Sequence, residues 1–447
     1  MVMKLRSARI IKALAILLVA AAALYGIALL LTARSLRQAY AELEADGRPM
    51  TLEEIELDPV PTAQNAAPLY QAALLLLQSE PVGNGSMHDH LATNIWVKPN
   101  DPRSPGTIES ELRKALQQGV CVEALKLIEK GTARSNYRFI GKDHNLTNSP
   151  FRIDEKDDRF RVANMRSLGL LLNARARIQM ADGDANGAWT TAQASYRFAN
   201  SFSKVPILIG QLLRLTLAVD ATESVRNLCA VSIPDQRQID ELQQWLRTFD
   251  DPAPFVHAID IERIVVDHQL FRDPSAQIKI LADIVQESPS FVALLRRIYY
   301  LKPIRMADHA FYLRNYHRMA QAYENVGSPS ALQPDAIFPQ GPFFYLLSYC
   351  HMVGDFRPRM RQIFADLRIT SAGLAVLKYH QEHGAFPTAL AKLDGLNLID
   401  PFTRAELAYR VEPDGFVITS TGPKDGPEDD LVWQYKTPAS EPLPTAP

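Results

Sequence analysis

The sequence has little cysteine, and this limits the disulfide and metal chemistry that it can carry. Cys121, Cys229 and Cys350 are the three cysteines among 447 residues. Their spacing fits no metal-binding motif, and an odd number cannot all pair within one chain. We therefore expect three buried thiols, with one disulfide as the alternative if this part of the chain folds in an oxidising compartment.

The chain also lacks a surplus of either charge. It has 48 Lys and Arg against 50 Asp and Glu, which gives a formal net charge of −2. Proteins that neutralise phosphates carry a basic surplus or a basic tract, so we expect no nucleic-acid partner. The hydrophobic content of 47% is enough for ordinary cores, which argues against a disordered chain.

Short catalytic signatures are missing as well. There is no Gly-x-Ser-x-Gly elbow, no phosphate-binding loop and no dinucleotide fingerprint. Asp267-His268 and Asp308-His309 are sequence neighbours, and adjacent residues on a helix point in different directions. Neither pair therefore indicates a catalytic dyad. Because active sites assemble from distant segments, an enzyme is disfavoured rather than excluded.

One long hydrophobic run is present, and it lies near the N-terminus. Ala13–Leu31 is apolar over 19 residues and carries no charge. At about 1.5 Å per residue, a helix of this length spans roughly 28 Å, close to the hydrocarbon thickness of a bilayer. A soluble helix is rarely apolar on every face for so long. We therefore predict a transmembrane anchor over residues 13–32.

The charges beside this run predict its orientation. Four basic residues precede it and two follow it: Lys4, Arg6, Arg9 and Lys12, then Arg34 and Arg37. This bias predicts a cytoplasmic tail over residues 1–12 and a single-pass protein with most of its chain outside the cytoplasm, in the periplasm if the cell is bacterial. The alternative is a cleaved signal peptide, since Ala20–Ala23 offers small residues. The apolar run, however, continues to Leu31, past the usual length of about 7–15 residues.

Residues 33–356 are predicted to form an extracytoplasmic helical domain. The Asp182-Gly183-Asp184 break between two apolar-periodic stretches predicts helical hairpins similar to those of tetratricopeptide-like proteins. Stretches 81–107 and 131–159 are rich in Pro, Gly or polar residues and are predicted as long loops that could form a binding surface. We predict helices over residues 34–45, 63–78, 108–130, 207–229, 235–248, 254–271, 275–285, 289–300, 304–325, 343–353 and 359–383.

The final part of the chain, residues 357–435, changes character. After the helix come two strand-like runs, 407–411 and 416–420, on either side of Glu412-Pro413-Asp414-Gly415. The Asp-Gly pair would supply the positive φ of a tight hairpin turn. We predict a small α+β module here and a disordered, Pro-rich tail over residues 436–447.

This segment resembles the C-terminal part of type II secretion major pseudopilins. In that family an amphipathic helix ends in a Gly-x-Tyr-Pro-like turn, followed by an Asp-Pro-Trp or Asp-Pro-Phe motif, a strand pair, an acidic loop and a terminal Trp. The matching residues here are Gly384, Phe386 and Pro387, then Asp400, Pro401 and Phe402, then Ser420, Gly422, Asp425, Gly426, Asp429, Asp430 and Trp433. A long helical middle separates this segment from the anchor. The resemblance therefore implies a pseudopilin-like module reused in another anchored protein, rather than a filament subunit.

The resemblance also implies a calcium site, because the C-terminal loop of pseudopilins binds Ca²⁺. Calcium prefers six to eight oxygen ligands in a flexible loop. The donors here would be Asp425, Asp429 and Asp430, with Glu428 and Ser420 as weaker ones. The alternative is a solvated acidic turn. We expect no other cofactor.

These features predict a mainly α protein with an N-terminal transmembrane helix, a helical-hairpin array and a small α+β C-terminal module. The whole layout also resembles bacterial envelope proteins that have an anchor, a helical middle and a similar ending. Our hypothesis is a membrane-anchored envelope protein with an interaction or scaffold role and other envelope proteins as partners. The alternatives are an accessory component of a secretion or pilus-like system, and a membrane-tethered enzyme with an unrecognised site.

Overall fold

Helices dominate the structure, as the hydrophobic periodicity predicts. The computed structural model describes residues 2–55, 60–82, 85–94, 105–134, 136–138, 162–271, 301–324, 357–422 and 430–437. The helices are α1 Val2–Ala45, α2 Ala67–Ser79, α3 Met87–Asn94, α4 Pro105–Leu116, α5 Gly119–Thr132, α6 Arg166–Ala181, α7 Ala185–Asn200, α8 Leu208–Cys229, α9 Gln236–Phe249, α10 Ala253–Val266, α11 Lys302–Glu324 and α12 Arg357–His383. The strands are β1 Pro81–Val82, β2 Gly85–Ser86, β3 Ala408–Glu412, β4 Gly415–Ser420 and β5 Leu431–Lys436. The predicted fold class is confirmed.

The chain divides into two compact units. The first comprises Met1–Glu56, Ile259–Ala322 and Leu332–Asp355, and the second comprises Leu57–Ala258, Tyr323–Ala331 and Phe356–Pro447. The C-terminal module thus belongs to the same unit as the helical array. The predicted tail beyond Thr437, the predicted helices 275–285, 289–300 and 343–353, and most of the predicted loop 131–159 lie outside the described residues.

In the first unit, α1 changes environment along its length. Its apolar part is exposed, with Leu17 at 68% and Leu30 at 70%, whereas Ala39 and Leu43 in its polar extension are fully buried. Within the described residues, Ile11–Ala45 is the helix that is long and apolar enough to cross a membrane. One end of α1 therefore lacks protein contacts while the other belongs to a packed core.

The second unit is built on packed helix pairs. Helix α2 packs on α5, and α6, α7 and α8 pack on one another. An aromatic cluster fills the contact between these groups: Tyr70 lies edge-on to Phe198 with ring centroids 4.8 Å apart, and Tyr137 lies 4.5 Å from Phe202. The hydroxyl groups of Tyr70 and Ser201 are 3.0 Å apart, so the buried phenol keeps a polar partner.

The C-terminal module is a three-stranded antiparallel sheet, in the order β3-β4-β5, packed on α12. Helix α12 also packs on α8 and α9, where Arg368 donates to Asp250 at 2.8 Å and Arg226 donates to Asp366 at 3.1 Å. Close packing requires glycine at position 373, because a Cβ there would lie 1.9 Å from the ring of Trp433. The predicted hairpin is confirmed, and β5 adds a third strand that the sequence analysis did not predict.

Local capping explains several helix ends. Asp184 caps α7 by accepting from the backbone N–H of Gly187 at 2.9 Å, and Gly183 adopts φ +79° at the turn before it. Asp235 and Gln238 form a reciprocal capping box at the start of α9. These contacts confirm the predicted breaks at Asp182-Gly183-Asp184 and before residue 235.

Three details differ from the sequence predictions. The predicted helix 108–130 is two helices, α4 and α5, separated at Gln117 and Gln118. The predicted loop 81–107 contains helix α3, which begins where the Ser86 backbone N–H donates to Asp89 at 2.9 Å and the Asp89 N–H donates back to the Ser86 hydroxyl. Gly415 does not have a positive φ; glycine is needed there because a Cβ would lie 1.9 Å from the carbonyl oxygen of Tyr435.

Candidate functional site

A polar cavity lies between α5, α6 and α7 in the second unit. Its volume is about 430 Å³. Its polar and charged lining residues are Glu129, Thr132, Arg175, Gln179, Thr190, Thr191 and Arg197, and its small or apolar ones are Ala133, Leu172, Gly187 and Ala194. A cavity of this size is within the range of small-molecule sites.

All but one of the polar side chains in the lining form hydrogen bonds or ion pairs within the protein. Arg175 pairs with Glu129 across α6 and α5. The hydroxyl group of Thr191 donates to Oε1 of Gln179 at 2.7 Å, while Thr132 and Thr190 donate to backbone carbonyls in their own helices. The side chain of Arg197, half-buried on α7, makes no hydrogen bond or ion pair with any described residue. Among the described residues, the cavity therefore holds one unpaired cation.

A second cavity of about 420 Å³ lies between α4, α6 and α8. Arg177 is 3.7 Å from Glu109 at its rim, and Asp220 accepts two hydrogen bonds of 3.0 Å from Arg166. Leu112, Leu170 and Val231 contribute apolar surface. Its charges are mostly paired, so it offers a less distinct binding chemistry than the first cavity.

The first unit contains a buried network of Tyr40, Asp267 and His309. Nε2 of His309 lies 2.5 Å from Oδ1 of Asp267. The hydroxyl group of Tyr40 donates to Oδ2 of Asp267 at 2.9 Å and lies 3.2 Å from Nε2 of His309. Phe271 stacks on the imidazole with ring centroids 4.2 Å apart. The network thus joins α1 to the π-helical turn Asp267–Phe271 and to α11.

Further polar contacts join the extension of α1 to α11. Arg314 donates to Glu42 at 3.1 Å and to the Ser35 hydroxyl at 2.9 Å. Nε2 of His317 lies 2.6 Å from Oδ2 of Asp46. Hydrogen bonds from His317 and Gln321 hold the pKa of Asp46 below its ordinary value. We call the contacts of α1 residues 35–46 with α11 and the π-helical turn the anchor seam.

Buried charge continues beside the anchor seam on α10. Arg48 donates to Asp260 at 3.2 Å, and Arg263 lies 3.5 Å from the other oxygen of the same carboxylate. Glu262 is also buried, and its burial raises its pKa to about 7. Clustered buried ionisable groups often mark functional sites. Here the paired groups join α10 to the residues that follow α1, and none of them lines either cavity.

The Asp–His pairing differs from what sequence order suggests. Asp267 pairs with His309, and neither residue pairs with its sequence neighbour in the way a dyad would need. As expected, the neighbours Asp267-His268 and Asp308-His309 form no dyad, but the contact between these two segments was not predicted. The π-helical turn, a rare element that is frequent at functional sites, was not visible in the sequence.

Of the residues predicted to bind calcium, the structure describes Ser420 and Asp430. The hydroxyl group of Ser420 is fully buried and donates to Oδ1 of Asp400 at 2.8 Å. Oδ1 of Asp430 accepts from the backbone N–H of Gly422 at 3.3 Å. Asp425 and Asp429 lie outside the described residues. Within the described part of the chain, no group of three or more His, Cys, Asp or Glu side chains could hold a metal. The calcium site stays a prediction.

Asp400, which the sequence analysis assigned to a motif, has a clear structural role. It is buried, and its carboxylate accepts from the Ser420 hydroxyl and from the backbone N–H groups of Thr421 and Phe402, at 2.8 Å, 3.0 Å and 2.8 Å. It therefore ties the loop after α12 to the end of β4.

Removing this carboxylate should loosen the module. We expect Asp400→Ala to lower the free energy of unfolding by about 3 kcal/mol, because it leaves three donors without their acceptor. Urea unfolding followed by hydrogen exchange of the backbone amides in β4 and β5 would measure the change within the module. Asp394→Ala, at an exposed position on the same segment, should change stability by less than about 0.5 kcal/mol. Equal effects of the two variants would contradict this role.

The described cysteines are buried free thiols. Burial raises the pKa of Cys121 to about 11 and that of Cys229 further. Neither thiol is therefore suited to nucleophilic chemistry at neutral pH. Cys350 lies outside the described residues.

Comparison with known proteins adds no family. No protein-family model, curated protein or solved structure matches this chain. The resemblance of residues 359–433 to major pseudopilins therefore stays an expectation from the sequence motifs.

Proposed function

We propose that this protein is a membrane-tethered interaction protein of the cell envelope, whose helical array binds a partner. The observation that carries the proposal is the continuity of α1. One helix combines an exposed apolar stretch of membrane-spanning length with an extension whose side chains are bonded to the first unit. Such a helix can hold a folded body at a fixed place beside a bilayer.

The chemistry of the extension supports a tether rather than a loose leader. A signal peptide needs no specific contacts beyond its apolar core. In contrast, Ser35, Glu42 and Asp46 each bond to α11. Cleavage after Ala23 would leave the extension in place together with Leu24–Leu31, a remnant of the apolar run that is too short to span a bilayer.

Binding is favoured over catalysis by where the charges lie. The Asp267–His309 contact is buried among helices, and the open cavities are lined mainly by arginine, threonine, apolar residues and acids that are mostly paired. A nucleophile with an adjacent base, or a general acid facing a pocket, is what an active site requires. Glu223 lines the second cavity and burial raises its pKa, but no hydrogen bond within the described residues joins it to a nucleophile. We therefore favour recognition over catalysis for these cavities.

Orientation is the first test of the proposal. The basic bias before Ala13 predicts that residues after Thr32 are translocated. A reporter enzyme that is active only outside the cytoplasm, fused after Thr437, should be active, and the full chain should stay in the membrane fraction after carbonate extraction. Deleting residues 1–31 should release the protein.

A second variant, Leu17→Arg with Leu24→Arg, keeps the length of the chain but places two charges within the apolar run. Charged residues at the centre of a spanning helix oppose insertion by about 2.5–3.5 kcal/mol each, so this variant should also leave the membrane. A fusion that is active only in the cytoplasm would refute the orientation. Release of the unaltered chain by carbonate would refute the tether.

A further inference from the structure

We propose that the cavity between α5, α6 and α7 binds a carboxylate group, and that Arg197 is the main residue that binds it. This inference rests on the proposed interaction role and names the chemical class that the helical array recognises. The carboxylate could belong to a small organic acid or to a peptide. Both present the same planar pair of oxygens.

The lining residues of the cavity leave one positive charge, which a ligand with a single negative charge would balance. Arg175 and Glu129 neutralise each other, since they form an ion pair. Arg197 is the remaining formal charge among the lining residues. A monoanionic carboxylate would balance it, whereas a phosphate group carries close to two negative charges at neutral pH and would face the Glu129 carboxylate with one charge uncompensated.

The hydrogen-bonding groups of the cavity also favour an anion at Arg197. The hydroxyl hydrogens of Thr132, Thr190 and Thr191 are donated to protein acceptors. The Arg197 guanidinium therefore supplies most of the donors that remain. It presents five N–H groups in a planar fork that fits a carboxylate through two parallel bonds.

The position of Arg197 limits the cost of binding. Its side chain is half-buried, so water satisfies it only in part, and it lies on α7, whose N-terminus is capped by Asp184. The packed helix fixes the backbone of Arg197, so binding has to order only the rotamers of its side chain. Small side chains at Ala133, Gly187 and Ala194 keep the cavity open beside it.

Titration calorimetry on the full chain in detergent micelles tests the proposal. Butyrate represents a small organic acid and acetyl-Ala-Ala represents a peptide carboxylate, and each is compared with its neutral amide. We expect at least one acid to bind in the millimolar range and its amide to bind at least about tenfold more weakly, because the amide lacks the charge that pairs with the guanidinium. Binding of butyrate would indicate a small organic acid as the natural ligand, and binding of acetyl-Ala-Ala would indicate a peptide.

Variants locate the binding. Arg197→Gln should lower the affinity for the acid by at least about tenfold. Arg197→Lys should keep part of that affinity, because lysine keeps the positive charge but lacks the planar pair of N–H donors. Arg237→Gln is the matched control, since Arg237 is 87% exposed on α9 and is paired with Glu241. Unchanged helicity and melting temperature would show that Arg197→Gln still folds, as its lack of a described partner predicts.

Three results would overturn the inference: no heat with either acid, equal binding of acid and amide, or full affinity in Arg197→Gln. None of them bears on the tether, which carbonate extraction of the same preparation measures separately. A released chain that still binds the acid would refute the tether and leave the carboxylate site standing.

Discussion

Replacing Ala188 with glutamate is expected to unfold the helical array of the second unit. Ala188 is fully buried on α7, which packs between α6 and α8. The longer side chain has no space there, and its carboxylate would be buried without a partner. Such a group costs several kcal/mol, a large fraction of the total stability of about 5–15 kcal/mol.

Thermal unfolding followed by circular dichroism measures this effect on the full chain in detergent. We expect loss of the main helical transition, or a melting temperature lowered by more than about 10 °C. Ala181→Glu is the control, since Ala181 is exposed at the last position of α6. An Ala188→Glu variant that melts like the control would show that α7 does not pack as described.

The stability of the first unit is expected to fall as the pH rises from about 4.5 to about 7. Burial raises the pKa of Glu262 from 4.5 to about 7, so the folded state binds a proton that the unfolded state releases. The contribution of this proton to stability is therefore complete at a pH below the pKa of Glu262 in the unfolded state. It declines as the pH rises and is lost once the pH passes the pKa of Glu262 in the folded state. The shift corresponds to about 3 kcal/mol.

Glu262→Gln should remove this decline. The amide has a similar size and does not ionise, so above pH 7 the variant should be more stable than the natural chain by up to about 3 kcal/mol. Hydrogen exchange of the backbone amides in residues 259–266, corrected for intrinsic exchange rates, measures the free energy of unfolding of this unit. Glu44→Gln, at an exposed position on α1, is the control. A pH dependence that persists in Glu262→Gln would assign it to other groups.

The helical architecture could be predicted because its signals are local. Asp184 and Asp235 begin helices by capping nearby N–H groups, and Gly183 ends one with a positive φ. These interactions span three or four residues, so the order of residue types specifies them. Helix α3 was missed for a related reason: its capping pair lies among the Gly and Pro residues that suggested a loop.

The candidate site could be predicted much less well. Glu129, Arg175 and Arg197 lie on three helices, and no short motif relates them. Which side chains meet depends on the angle and register at which helices pack, and the apolar periodicity of each helix leaves both open. The same limit applies to Asp267 and His309, whose contact joins segments far apart in the chain.

An apolar helix of membrane-spanning length, a helical body and a C-terminal β-hairpin could be predicted from the sequence alone, because each depends on composition and on contacts along the chain. Three features are visible only in the folded protein: the extension of α1 bonds to α11, Gly415 and Gly373 make room for Tyr435 and Trp433, and Arg197 is unpaired among the described residues in a cavity. These features arise where distant segments approach within a few ångströms, and packing of the whole core sets those distances.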